Sequence, residues 1–119
     1  MEAFNITRIH TDANGDSRFE SVSVTLNDAG EIGFLSKAQK AGTVQFRKVA
    51  PTYDYDFHNA PNRQYIILID GVIEIETSLG EKRYFKAGDI LLVEDTEGKG
   101  HKTRNITTQV RSSLFITLE

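Results

Sequence analysis

Apolar residues recur at every second position along most of this chain. That period sends successive side chains to opposite faces of an extended strand, whereas a helix needs a period near 3.6. "SVSVTL" alternates Val22, Val24 and Leu26 with polar residues, and "TVQFRKV" sets Val44 and Phe46 on one face. "VIEIETS" alternates Ile73 and Ile75 with Glu74 and Glu76, and "QVRSSLFITLE" puts Val110, Ser112, Leu114, Ile116 and Leu118 on one face. Asn14-Gly15, Asn27-Asp28, Asp70-Gly71 and Leu79-Gly80-Glu81 mark turns between them. Only "GEIGFLSKAQKAG" reads otherwise. It is short, bounded by glycine and lacks an apolar stripe, so it is expected to be irregular or a single turn. Many short, closely spaced strands predict an all-β sandwich or barrel, chiefly antiparallel.

Length and charge narrow the partners. The chain has 119 residues, one domain over 1–119, and a formal net charge of -3 without a basic block. Nucleic acid, which is gripped by clustered Lys and Arg, is not the expected partner. No apolar run approaches the roughly 20 residues that span a bilayer, so no membrane is expected either. With no cysteine, disulfides, thiol nucleophiles and thiolate-bound zinc are excluded. The start, "MEAFNITRIHTD", has no apolar signal region, and the expected compartment is cytoplasmic. The sequons at Asn5 and Asn105 then read as chance matches. "DANGDS", Asp12 to Ser17, offers acids for calcium, but no glutamate closes the loop at its twelfth position. Asn-Gly between two alternating strands is a hairpin signal, and a plain turn is expected.

"YDYDFHNAPNRQYIILIDG", Tyr53 to Gly71, is the most informative stretch. An aromatic–acid alternation runs into one histidine, then a polar step containing Pro61, an apolar strand and a glycine turn. Farther on come Gly80, Lys86-Ala87-Gly88-Asp89 and His101-Lys102-Thr103-Arg104-Asn105. This order resembles the two signature motifs of the cupin superfamily, small antiparallel jelly-roll β-barrels. The first motif carries two histidines one residue apart, then a glutamate and a glycine. Gly71 fits the glycine, Gln64 stands where the family has glutamate, His58 matches the first histidine, and Ala60 replaces the second. The second motif is met by Gly80, by Gly88-Asp89 with Lys86 in the proline place, and by the His101-to-Asn105 step after a longer loop, "EDTEGKG". The resemblance spans about residues 43–118. A group of uncharacterised bacterial cupins is similar around "HNAPNRQ" and "EDTEGKGH".

The resemblance implies a single divalent ion (Fe, Mn, Ni, Co or Zn) at His58, Gln64 and His101. Gln64 supplies a neutral amide oxygen and one imidazole is absent, so the implied site is weak. Asp54, Asp56, Glu94 and Asp95 are the available replacement ligands. Strict alternation groups Asp54 and Asp56 with His58 and sends Tyr53, Tyr55 and Phe57 to the other face, unless a bulge intervenes. Tyr53, Tyr55, His58 and His101 are the catalytic candidates. Their plainer readings are sheet packing for the tyrosines and solvated turns for the histidines. Arg63, opposite in sense to Gln64, is expected in a salt bridge or subunit contact, and His10 is expected to have no role.

Three functions are compatible with these residues. One is a metal-dependent enzyme of dioxygenase, isomerase or lyase type acting on a small organic acid, sugar or enol. Another is a metal-free epimerase or isomerase, in which a His backed by a carboxylate takes a proton and a Tyr supplies one. The third is a pocket that binds or senses a small ligand without turnover. Ile66, Leu68, Ile73, Ile75 and aliphatics of the last strand are expected inside the barrel. The opening strands are expected to cover an edge in a two-fold homodimer, and "EDTEGKGHKTRN" to be a mobile rim without core residues.

Overall fold

The computed structural model describes residues 3–119. The strands are β1 (Ala3–Thr11), β2 (Ser17–Thr25), β3 (Asn27–Asp28), β4 (Phe34–Leu35), β5 (Ala41–Val49) and β6 (Asp54–His58). They continue with β7 (Gln64–Leu68), β8 (Val72–Thr77), β9 (Lys82–Lys86), β10 (Ile90–Val93), β11 (His101–Asn105) and β12 (Arg111–Leu118). The alternating segments are strands, and "GEIGFLSKAQKAG" holds one 3-10 turn, Gly30–Ile32, and the short β4. Among the described residues no helix is long and apolar enough to cross a membrane.

A six-stranded sheet runs β2-β1-β10-β7-β12-β5, and a four-stranded sheet runs β6-β11-β8-β9. This is the all-β arrangement of a jelly roll. Pairing is antiparallel except at β1, which lies parallel to β10 in the register Thr7 to Leu91 and Ile9 to Val93. The opening strands therefore cover an edge within their own chain: β1 takes the side of β10 and leaves β2 outermost. The Asn14-Gly15 turn joins β1 to β2, with Asp12 accepting from the Asn14 and Asp16 amides. His10 pairs with Arg18 on this hairpin.

The core lies between the sheets. Ile9, Leu68, Leu91 and Val93 of the large sheet meet Ile73, Ile75 and Phe85 of the small one, with Ile66 and Phe19 packed against them. The last strand departs from expectation. Its inward residues are Arg111, Ser113 and Phe115, not Leu114, Ile116 and Leu118. The register to β7 decides this, since Ser113 faces Leu68 and Phe115 faces Ile66. Both faces of β12 carry apolar residues, because Leu114 and Ile116 pack outside against Phe46 and Val44 of β5. Alternation alone could not separate the two faces.

Candidate functional site

Side chains from both sheets enclose a cavity of about 350 Å³. Ile73, Ile75, Leu91 and Val93 form its apolar floor, and His58, Gln64 and His101 share its wall. Gln64 and His101 are buried. His58 on β6 faces His101 on β11, with ring centroids 4.6 Å apart. A larger hollow of about 770 Å³, between β2 and β9, contains no histidine.

The alternation of β6 fails beside His58. From the His58–His101 pair to the Tyr55–Thr103 pair, β6 advances three residues and β11 two. This bulge turns Tyr55 to the histidine's side, where the rings stack at 3.9 Å and 8°. Tyr53 and Tyr55 thus line the cavity with His58, correcting the strict-alternation expectation. Asp54 and Asp56 are exposed and do not line it. Glu94 is also elsewhere, paired with Arg8 and with Arg63. That pair meets the expectation for Arg63.

Asp95 is the acid that reaches the site. Its Oδ2 accepts from His101 Nδ1 at 2.5 Å, and Asp95 is wholly buried. Its Oδ1 is buried without a hydrogen-bond partner among the described residues, a costly state that native proteins keep rare. His58 Nδ1 donates to the backbone oxygen of Asp56 at 2.8 Å. Both rings therefore keep Nε2 as the nitrogen free for chemistry. Burial pushes His58 below its ordinary value of 6.5; the Asp56 carbonyl opposes this and His101 adds to it.

The loop after β10 is only partly the rim expected. Residues 96–99 are exposed, but Asp95 and Gly100 at its ends are buried, contradicting the reading that none of it is core. Gly100 has φ +73, and a Cβ there would stand 2.1 Å from the His58 backbone oxygen. Only glycine lets the loop lie this close to β6 and deliver His101. Asn59 ties the loop back, donating to the backbone oxygens of Asp95 and Gly98.

The charged cavity residues that escaped the sequence reading are Arg47 of β5 and Arg111 of β12. Arg111 is 2% exposed. Its Nε donates to Asn105 Oδ1 at 2.8 Å, and Asn105 donates in turn to the Ala50 oxygen. Arg47 stacks over Tyr53 at 4.7 Å and Phe115 at 5.0 Å. Burial, then the neighbouring Arg47 charge, pushes Arg111 below its ordinary range. The available signal was an arginine opening the "RSSLFITL" strand in the same period as Ser113 and Phe115.

These donors do not fit a resident divalent ion. The two imidazoles have the tautomer a metal ligand takes, and Gln64 adds an amide. Catalytic zinc sites use three strong protein ligands, and among the described residues no group of three His, Cys, Asp or Glu could hold a metal. Asp95 is already committed to His101, and two guanidiniums on the same cavity oppose a dication.

The fold has solved counterparts. The chain is similar to a cupin 2 conserved barrel domain protein of Salinispora arenicola, with TM-score 0.52 and 21% identity over 64% of this chain and 61% of that one. It is also similar to the Cnp3 cupin domain of Schizosaccharomyces pombe, with TM-score 0.53 and 10% identity over 100% of this chain and 86% of that one. A conserved Streptococcus pyogenes protein aligns with TM-score 0.51 and 14% identity over 71% of this chain and 69% of that one. No family model matches the sequence, and no curated protein matches it. The chain is a cupin-fold protein, with the jelly-roll architecture that its glycine and His-x-x-x-Asn framework announced.

Proposed function

We propose that the cavity binds a small organic acid or enol and moves a proton on it without a resident metal, as an isomerase or epimerase does. The carrying observation is the buried Asp95–His101 hydrogen bond. A carboxylate behind the ring fixes its orientation and tautomer and leaves Nε2 for proton exchange. In this reading His101 Nε2 takes a proton from carbon, and the electron pair passes to the adjoining carbonyl oxygen as an enolate. Tyr55, on the same wall of the cavity, gives a proton to the enolate oxygen, and the reverse transfers restore both groups. His58, stacked on Tyr55 and facing His101, supports both.

The test is deuterium uptake at carbon by a panel of oxo acids whose ketone stands several carbons from the carboxylate, in heavy water, followed by proton NMR with a chelator present. Catalysed uptake that is lost in His101→Ala supports the reading. Uptake that appears only with an added divalent ion overturns it in favour of a metal enzyme. Ligand binding without uptake by any panel member overturns it in favour of a binding module.

The proposal includes a two-fold homodimer. β5 ends the large sheet, and its outer residues Val44 and Phe46 are 56% and 83% exposed, an apolar patch of the kind that marks interaction sites. Sedimentation at micromolar concentration should show a dimer that Phe46→Glu dissociates. A monomer in the parent protein would refute this.

A further inference from the structure

The cavity is electrostatically one-sided. The whole chain is acidic, with 17 Asp and Glu against 14 Lys and Arg. Yet its cavity is lined by Arg47 and Arg111 and by no acid. Among the described residues neither guanidinium forms a salt bridge. Asp70, whose field reaches Arg111, instead accepts from the Ser112 amide.

Burying a charge is unfavourable unless the charge is paired. Arg111 is almost wholly out of water, and its one hydrogen bond among the described residues uses a neutral amide oxygen. The structure nevertheless makes room for it. Gly71 has φ +72, and a Cβ there would come within 3.1 Å of the Arg111 side chain. A second guanidinium is then placed nearby: Arg47 lies 4.7 Å and Arg111 5.9 Å from the same Tyr53 ring. Two like charges over one ring repel, and the ring quadrupole only partly offsets this. An anion between them would satisfy both, and guanidinium forks suit carboxylates.

The cavity also has direction. His58 and His101 pair at one end of the β6–β11 ladder, whereas Asn105, which holds Arg111, lies at the other. The His101-to-Asn105 span is about 13 Å of strand at the usual rise. Tyr53 stands at the guanidinium end, and between the ends the wall is aromatic and aliphatic with Phe115 and Ile66.

We infer that the Arg47–Arg111 end holds the carboxylate of a small organic anion, whose apolar body lies along Tyr53, Phe115 and Ile66 toward the imidazoles. This deepens the proposed function, because it fixes which end of the substrate faces His101. It requires only that the cavity bind a small molecule, not that His101 move a proton.

The test is calorimetric titration of the full chain with benzoate, with its neutral isostere benzamide, and with inorganic phosphate. Benzoate should bind about 10- to 100-fold more tightly than benzamide, the range for a hydrogen-bonded charge. Arg47→Met should remove most of that preference, and Arg111→Met should remove the rest. Arg47 lies on an edge strand and is half-exposed, so its variant reports even if the Arg111 variant does not fold. Equal binding of benzoate and benzamide, no benzoate binding, or a preference that survives Arg47→Met overturns the inference. Phosphate bound as tightly as benzoate overturns the assignment to a carboxylate. Carboxylate selectivity without any proton exchange would sink the acid–base reading and leave this one standing; the converse result would do the opposite.

Discussion

The two ends of the cavity are finished differently. At the imidazole end, His101 has Asp95 behind it and His58 has the Asp56 carbonyl, so each ring is held by the protein itself. At the guanidinium end, Arg111 has one amide oxygen and Arg47 has aromatic faces, with no carboxylate for either among the described residues. Groups that exchange protons need fixed tautomers before substrate arrives. Groups that bind a charged ligand need unfilled donors until it arrives. In the proposed reading, the end completed from within carries the chemistry and the end awaiting completion from outside carries recognition.

The largest effects should come from the finished end. His101→Ala, and Asp95→Asn to a lesser degree, should lower proton-exchange rates by about 10²- to 10⁴-fold with benzoate affinity little changed. If both variants lose ligand affinity in proportion to rate, the division of labour between the ends is wrong. Next comes the loop that delivers His101. Gly100→Ala forces a left-handed alanine, which costs about 1–2 kcal/mol, and drives its Cβ into the His58 carbonyl. A fall in stability beyond that strain is expected in urea titration, and an unchanged midpoint would show that the loop does not need this close approach.

A smaller effect is expected from Gln64→Glu, which adds the missing anionic ligand beside the two free Nε2 atoms. It should raise divalent-ion affinity by about tenfold or more, read by titration with Zn²⁺ or Mn²⁺, and should weaken benzoate binding by repulsion. Unchanged metal affinity would mean that Gln64, though buried in the same wall, does not point at the space between the imidazoles.

Much of this was legible in the sequence for a definite physical reason. Strand period is a local property, and glycine turns such as Asp70-Gly71 are set by backbone sterics, so both survive in a single chain. His58, Gln64 and His101, which line one cavity, could be grouped because a motif spacing tied them together. Tyr53 and Tyr55 were assigned to the wrong face because a bulge at 56–57 shifts the parity of everything before it, and nothing in "YDYDFH" encodes the shift. Asp95 stood in a loop whose composition reads as solvated, yet its burial follows from contacts with Ala60 and Asn59 that are distant in sequence. Arg111 was missed because its strand is apolar on both faces, and only pairing with β7 reveals which face is inside.

The smallest effect is the one that reads His58 directly. Burial lowers its pKa in the folded protein below the ordinary 6.5. As pH falls through 6.5, the unfolded chain binds this proton before the folded chain does. Stability therefore declines from that point down to the depressed folded value, and below it the His58 contribution is flat. Above 6.5 the ring is neutral in both states and contributes no pH dependence. His101, Asp95 and Arg47 surround the ring and bear on the same titration, so the contribution is isolated as the difference between the parent and His58→Gln. Urea midpoints at pH 7.5 and pH 5.5 should fall more for the parent than for the variant, and the folded-state NMR titration of His58 should have its midpoint below 6.5. A midpoint at or above 6.5 would mean that an acid or a solvated mouth holds the ring charged. His58 would then belong to the anion-binding face of the cavity.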